Sequence, residues 1–400
     1  MRSSLDRQPT TGRNGKLVGA ISPRVAKIDK VPLSTVLGAE QSNSAMLFAD
    51  KFFLKLYRKL EDGVNPDVEV TRFLTERTGF ENVPAFSGAI EYRREKSQPT
   101  VVCLLQDAIQ AEADAWTMTL DHVGRYYERV LGQKTQLQNE ATPTAALIDE
   151  LVGGVYSEKA KLLAQRTGEL HLALASVKDD PLFAPEPFNA MAQRSVYQSM
   201  RALLRRNFDA LKKNLKDIPE HLRDEAKDVL GTEKEILGRE KRLLDRKTNA
   251  AKIRIHGDYH LGQTLRTDTG FVILDFEGEP ARPVAERRRK QCALVDVAGM
   301  LRSLDYAVHT ALSPTGSPSA AGERWVRRAS AAFLEGYRDE IARVPTRLLP
   351  ASPEGFGRAL AVFELDRALY EVRYELDNRP AWLGIPLRGL ARLLARERAS

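Results

Sequence analysis

The chain has 400 residues, 42% of them hydrophobic, with 61 Lys plus Arg against 54 Asp plus Glu and a formal net charge of +7. That length and apolar content support a sizeable core in two or three lobes, and no run nears the ~18 apolar residues of a membrane span. The charge surplus is too thin to require nucleic acid, and the basic runs Arg287 to Lys290 and Arg324 to Arg328 carry no interleaved aromatic platform. The polar start, Met1 to Lys16, lacks the apolar stretch of a secretory signal, and two widely separated cysteines, Cys103 and Cys292, suit a reducing compartment, so a cytoplasmic protein is expected.

Residues 1–35 mix Gly, Pro and Ser without a period and read as a loosely ordered lead-in. Ala45 to Ala49 and Phe52 to Tyr57, around Asp50-Lys51, predict two strands and a tight turn. In the second strand Phe53, Lys55 and Tyr57 share one face, and by itself Lys55 reads as an edge-strand charge. Asn65-Pro66-Asp67 predicts a helix start, with Asn65 as N-cap and Asp67 and Glu69 near the positive end of the dipole. Strands near Phe86 to Arg93 and Val101 to Leu105 complete a small antiparallel sheet that ends by about residue 110. Helical spacing then takes over in residues 114–130, 145–178, 187–249, 295–312, 320–344 and 354–376, before a basic amphipathic tail.

Within this helical part, residues 254–280 stand apart. Thr267 to Gly270 is a turn signal between Thr264-Leu265-Arg266 and Phe271 to Leu274, so a short hairpin would bring Asp275 back beside Asp258 and Gln263. Three chemistries compete for the stretch. His256, Asp258 and His260 alternate and could hold a divalent metal, although the chain has no second histidine cluster. Asp275, Glu277 and Glu279 alternate as a glycosidase pair might, yet Gly278 and Pro280 interrupt the strand. Phosphoryl transfer needs a carboxylate to accept the proton of an attacking hydroxyl, an amide five residues on, and a carboxylate after a short hairpin to hold Mg²⁺. Asp258, Gln263 and Asp275 follow that order. It also needs a strand lysine and a helix acid to hold it, and Lys55 and Glu69 fit. The conjunction favours the third chemistry.

His256 to Gln263 with Asp275 to Pro280 resembles the aminoglycoside-phosphotransferase-like kinases, and more closely the maltokinases and the maltokinase-like domains fused to trehalose synthases. The narrower similarity extends through Gly38 to Asn43, Phe53 to Arg58, Gly63 to Val70, Asp296 to Ser303 and Tyr370 to Gly389, most of residues 36–395. The resemblance implies an α+β, bilobal protein-kinase-like fold, with an N-lobe over 36–110, a helical C-lobe over 111–400, and a family cap largely absent from the 35 residues before them. It implies transfer of the ATP γ-phosphate to the anomeric hydroxyl of maltose, with Asp258 as base, Gln263 and Asp275 as Mg²⁺ ligands, and Lys55, partnered by Glu69, on the nucleotide phosphates. The loop Gln41-Ser42-Asn43-Ser44 would cover those phosphates, and Gln106 would open the hinge to the nucleotide. His256, Tyr370, Glu371, Tyr374, Arg379 and Trp382 are the expected acceptor residues, and Asp296 a structural brace for the catalytic loop. Gln263 stands where the broader superfamily usually has Asn, and Gln106-Asp107-Ala108 where relatives favour Gly-Phe-Val. The alternatives are a kinase of an aminoglycoside or amino alcohol, and a non-catalytic module that docks a trehalose synthase.

Overall fold

The structure is a computed structural model that describes residues 9–25, 33–38, 43–95, 97–132, 154–312 and 320–398. Its first lobe is a seven-stranded antiparallel sheet built from β1 (Thr10–Thr11), β2 (Lys16–Ile21), β3 (Ser34–Leu37), β4 (Asn43–Phe48) and β5 (Phe52–Tyr57), the helix α1 (Pro66–Phe73), then β6 (Phe86–Arg93) and β7 (Thr100–Asp107). The strand order is β1-β2-β6-β7-β5-β4-β3. Part of the loosely ordered lead-in expected over residues 1–35 is a regular strand: Lys16 to Ile21 pairs residue by residue with Arg93 to Gly88, which gives β6 a partner on its second side. Short strands carrying Gly19 and Ala20 have little periodicity of their own, and pairing with a long neighbour supplies what local propensity does not. The edge reading of Lys55 also falls, because β5 lies between β4 and β7 with Lys55 opposite Ala45 and Leu104.

The three-residue connection between β4 and β5 places Ala49 and Asp50 at positive φ, +48° and +53°, the left-handed central positions of a turn closed by the Lys51 N–H on the Phe48 carbonyl at 3.0 Å. Asn65 caps α1 as its sequence suggests: its side chain accepts from the Asp67 N–H at 2.8 Å, with Pro66 in the first turn.

The second lobe is mostly helical. After β8 (Ala113–Asp114) come α2 (Ala115–Gly132), α3 (Gly154–Leu174), β9 (Glu186–Pro187), α4 (Ala190–Lys213), α5 (Arg223–Gly231) and α6 (Glu233–Lys241). The segment that carries Asp258 and Asp275 follows as β10 (Ala251–Ile253), β11 (Thr264–Thr267), β12 (Gly270–Ile273), α7 (Val284–Arg287) and β13 (Gln291–Cys292), and the chain closes with α8 (Leu294–Leu312), α9 (Ala320–Ala342), α10 (Pro353–Asn378) and α11 (Gly384–Arg398). The hairpin expected at 264–274 is β11 and β12, in register from Thr264↔Ile273 to Thr267↔Gly270. Residues 133–153, which include the start of the helix expected at 145–178, lie outside the described residues. No described helix is long and apolar enough to cross a membrane.

The helix α1 belongs to two cores. Val68 packs with Tyr57, Phe86, Ala89, Val101 and Leu104 under the sheet. Val70 and Phe73 join the main core of the helical lobe, where Phe73 stacks on Phe183 with ring centroids 3.5 Å apart and planes within 2°. A pair of buried aromatics of this kind adds about 0.5–1.5 kcal/mol beyond its burial. Packing therefore ties α1 across the boundary that chain order alone would draw.

Candidate active site

Asp258 sits in the loop after β10, and one buried carboxylate fixes that loop. Asp296, in the first turn of α8 and 1% exposed, accepts the His256 N–H at 2.8 Å and His171 Nε2 at 3.1 Å on one oxygen, and the Gly257 N–H at 2.9 Å on the other. Gly257 has φ +85°, which a residue with a Cβ rarely adopts. Gly299 lets α8 lie directly on the loop, since a Cβ there would be 2.6 Å from the Tyr259 carbonyl oxygen. His256 is not an acceptor contact: it is 1% exposed, its Nε2 donates to the Leu274 carbonyl at 2.7 Å and its Nδ1 accepts from the Asp258 N–H at 3.4 Å. An imidazole with both nitrogens committed joins the two carboxylate segments, and the expectation that it reads the acceptor is corrected.

On the other side of that link, Asp275 follows β12 in a left-handed conformation, φ +61°, tolerable for an aspartate. Gln263 ends a short 3₁₀ turn, and its amide donates to Asp275 Oδ2 at 3.3 Å. Lys55, 5% exposed, reaches the same place from β5: its ammonium lies 2.7 Å from Asp275, 2.6 Å from Glu277 and 3.1 Å from Asp67. Burial alone would lower the Lys55 pKa, but these three carboxylates hold it well above its ordinary value. Burial alone would likewise raise Asp275, and Lys55 brings it below the usual carboxylate range. Glu277 goes the other way, pushed up by burial and by Asp275 and Asp67 more than Lys55 restrains it.

The helix acid that meets Lys55 is Asp67, and the assignment of Glu69 to that role is corrected. Two residues along an α-helix turn the side chain by about 200°, so only one of the two can face the sheet. Asp67 takes Lys55, the Tyr57 hydroxyl at 3.2 Å and the Phe276 N–H at 3.0 Å. Glu69 points to the helical lobe, where Arg254 at 2.6 Å and Arg288 at 3.0 and 2.5 Å grip it. Asp67, Asp275 and Glu277 each bring an oxygen within 4.8 Å of the others, a group able to hold a cation.

Of the expected phosphate loop, Gln41 and Ser42 lie outside the described residues; Asn43 opens β4 and its side chain donates to Glu277 at 3.0 Å. Gln106 is buried within β7, 7% exposed. Past it, the Asp107 N–H donates to the Ala85 carbonyl at 3.0 Å and the Ala108 N–H to the Lys51 carbonyl at 2.8 Å, so both amides are already used. Asp107 is held by Arg24, at 3.0 and 2.8 Å, and by the Ser87 hydroxyl at 2.7 Å.

A small cavity of about 40 Å³ is lined by Gly257, the chain neighbour of Asp258, and among others by Glu279, Arg282, Arg287, Asp366, Arg367 and Tyr370. Arg367 is its principal group and was not foreseen. Its guanidinium donates to Asp258 Oδ1 at 2.9 Å, lies 3.7 Å from Glu279 and stacks 4.9 Å above the Tyr370 ring. Burial would raise the Asp258 pKa, but Arg367, and after it His260, hold the carboxyl below its ordinary range. Asp366 Oδ1 is buried with no hydrogen-bond partner, and burial pushes its carboxyl up to about 6. Of the expected acceptor residues only Tyr370 lines this cavity. Glu371, 8% exposed, is tied to Arg302 at 2.8 Å. Tyr374, Arg379 and Trp382 form a separate stack, with the Arg379 guanidinium 5.3 and 4.7 Å from the two rings and paired to Glu375 at 2.7 Å. Arg367 lies three residues before Tyr370, so helical spacing from the tyrosine was the signal that would have found it.

No family model matches the chain. Among curated proteins it is similar to a glucosamine kinase of Streptacidiphilus jiangxiensis, 34% identical over 143 residues that make up 36% of this chain and 32% of that protein. It is also similar to a glucosamine kinase of Mycolicibacterium smegmatis, 33% identical over 141 residues, 35% of this chain and 34% of the relative. The similarity thus spans about a third of the length of these relatives. Among solved structures, a glucosamine kinase in complex with glucosamine, ADP and inorganic phosphate superposes with a TM-score of 0.69 and 21% identity over 98% of this chain and 81% of that one. A second crystal form of glucosamine kinase gives 0.71 and 22% over 95% and 80%. The shared architecture is the bilobal kinase-like fold, sheet lobe first and helical lobe second.

Proposed function

We propose that the chain is an ATP-dependent kinase of a small sugar, with an amino sugar such as glucosamine as the acceptor. One observation carries this reading: Arg367, in the wall of a small cavity, holds Asp258 at 2.9 Å, while Asp275, in a segment joined to that of Asp258 by the hydrogen bond from His256 to the Leu274 carbonyl, sits with Gln263 against the buried ammonium of Lys55. The first carboxylate suits a general base and the second group a triphosphate site.

In this mechanism the acceptor hydroxyl lies in the cavity and gives its proton to Asp258 as its oxygen bonds to the γ-phosphorus. The bond from that phosphorus to the β-phosphate oxygen breaks, and ADP leaves. Arg367 keeps Asp258 ionised and, moving with the acceptor, would orient it. Lys55 would pair with the phosphates, its three carboxylates having kept it charged. Asp275 and the side-chain carbonyl of Gln263 would hold Mg²⁺, which would supply neutralisation of the charge on the transferred phosphate.

The acceptor assignment draws on the named activity of the relatives and on two acids in the cavity wall, Glu279 and Asp366, the latter with an unpartnered oxygen that suits an ammonium, beside the three arginines Arg282, Arg287 and Arg367. The maltokinase resemblance supports a second reading, in which maltose is phosphorylated at its anomeric hydroxyl and a trehalose synthase is a partner. Two buried free cysteines fit a cytoplasmic setting for either. ADP release measured with Mg-ATP against glucosamine, glucose, maltose, kanamycin and choline tests both. Turnover with glucosamine above glucose is expected. Turnover with maltose alone, or with kanamycin alone, would replace the acceptor, and background release with every acceptor would overturn the kinase reading in favour of a docking module.

A further inference from the structure

A larger cavity, of about 320 Å³, lies in the helical lobe between α8, α9 and α11, with Asp305, Glu323, Arg327, Arg392 and Arg396 among its lining residues. Small-molecule sites run from about 300 to 1,000 Å³, so this space is of ligand size. Its apolar wall is Val308 and Val326. Its charges are unevenly committed. Asp305 is taken by Arg302 at 2.7 Å and by Arg392 at 2.7 Å. Arg392 also donates to His309 Nε2 at 3.1 Å, which requires that imidazole to be neutral, and burial does push its pKa down to about 4. Glu323 approaches Arg327 only at 3.9 Å, and Arg396 has no partner among the described residues. The surplus in the cavity is therefore guanidinium.

The same cavity is the end of a line of alternating charges that reaches the active site. Arg392 meets Asp305 at 2.7 Å, Asp305 meets Arg302 at 2.7 Å, and Arg302 Nε meets Glu371 at 2.9 Å. Glu371 lies 3.8 Å from Arg367 Nε, and Arg367 holds Asp258 at 2.9 Å. Gly389 lets α11 lie against the middle of this line, since a Cβ there would be 2.6 Å from Arg302 Nη1. Each buried member that gives up one partner turns more fully to the other, because the low dielectric leaves no water to compensate.

We propose that this cavity is a second ligand site, for a small anion bearing a phosphate or carboxylate group, and that its occupancy is transmitted to Asp258 through the line of charges. The sign follows from the alternation. An anion that engages Arg396 and Arg392 draws Arg392 from Asp305. Asp305 turns to Arg302, Arg302 loosens from Glu371, and Glu371 closes its gap to Arg367. Arg367 then leaves Asp258, which frees an oxygen of the base and raises its proton affinity. The ligand is an activator.

Calorimetric titration of the full chain, saturated with ADP and at fixed ionic strength, with inorganic phosphate in one arm and citrate in the other, tests the site. Binding in at least one arm, weakened tenfold or more by Arg396→Glu, is expected, and the arm that binds identifies the anion's source. No binding in either arm, or binding that Arg396→Glu leaves unchanged, overturns the site. Coupling is read from the pH titration of Asp258 by carboxyl carbon-13 NMR, its resonance assigned by Asp258→Asn. The bound anion should move the midpoint upward, and Arg302→Met, or Gly389→Ala should that variant not fold, should abolish the movement while leaving binding in place. A midpoint that stays put when the anion binds overturns the coupling. Neither readout requires turnover, so both are independent of the acceptor proposed above.

Discussion

Replacing Asp296 by Asn removes one proton acceptor from a place with three donors. In the best orientation the amide oxygen takes the position that accepts from the His256 N–H and His171, and the amide nitrogen faces the Gly257 N–H, 2.9 Å from the oxygen it replaces. One buried N–H is then orphaned at a cost of about 1–3 kcal/mol, and the two surviving bonds lose their charge assistance, so a total near 2–4 kcal/mol is expected. Against a typical stability of about 5–15 kcal/mol this is a large fraction. Urea unfolding followed by tryptophan fluorescence should show a lower midpoint with unchanged slope, and amide exchange at Gly257 should accelerate. The wild type carries a pH signature of the same brace. Burial alone would raise the Asp296 carboxyl, but His171 brings it below its ordinary value; its stabilisation is therefore complete above the unfolded pKa of about 4 and is lost as pH falls below that. A variant that unfolds at the wild-type midpoint, with Gly257 exchange unchanged, would refute the view that Asp296 holds the loop.

Asp258→Asn should leave the circular dichroism unchanged and lower kcat by about 10²–10⁴-fold, the range for loss of a general base; undiminished ADP release would remove Asp258 from that role. Lys55→Met leaves Asp67, Asp275 and Glu277 facing one another without their cation, and breaking a buried ion pair in this way costs about 3–5 kcal/mol, measurable as a fall in Tm. In the wild type Asp258 is held below the usual carboxylate range by Arg367, so the acid limb of the kcat/KM profile should lie below about pH 4, and Arg367→Met should shift it upward because burial is then less opposed. Glu240 is fully buried with neither carboxylate oxygen partnered, and burial pushes it up to about 8. A carboxyl raised in the folded state destabilises it increasingly from about pH 4 up to its folded pKa, so Glu240→Met should stabilise the chain at pH 7 by on the order of 2–4 kcal/mol and hardly at all at pH 4.

The parts of the site that were legible in the sequence are those fixed by short-range geometry. Asp258, Gln263 and Asp275 are separated by one 3₁₀ turn and one hairpin, and the hairpin's turn signal sets their spacing without reference to the rest of the chain. Lys55 could be placed on a strand and on a face of that strand, but its position at the centre of the sheet depends on β7, which arrives some 50 residues later. The confusion of Glu69 with Asp67 has the same origin: both acids stand near the start of one helix, and which turns toward the sheet depends on the rotation of α1, set by Phe73 on Phe183. His256 looked available because histidines near a catalytic aspartate often are; only the fold brings the Leu274 carbonyl to its Nε2. Strands β1 and β2 had no pattern of their own; β2 takes its order from pairing with β6, and β1 from pairing with β2.

The grip of Arg254 and Arg288 on Glu69, with the Asp67 carboxylate on the Phe276 N–H, has a mechanical consequence. A helix fastened at its acidic start and embedded by Val70 and Phe73 in the helical core travels with that lobe, whatever its place in the chain. Were the sheet to tilt against the helical lobe, the bending would fall in the segments on either side of α1, around residues 58–65 and 79–85. Lys55 would ride on such a lid and Asp67 on its pin, so that opening would draw the ammonium out of its nest of carboxylates and closure would restore it.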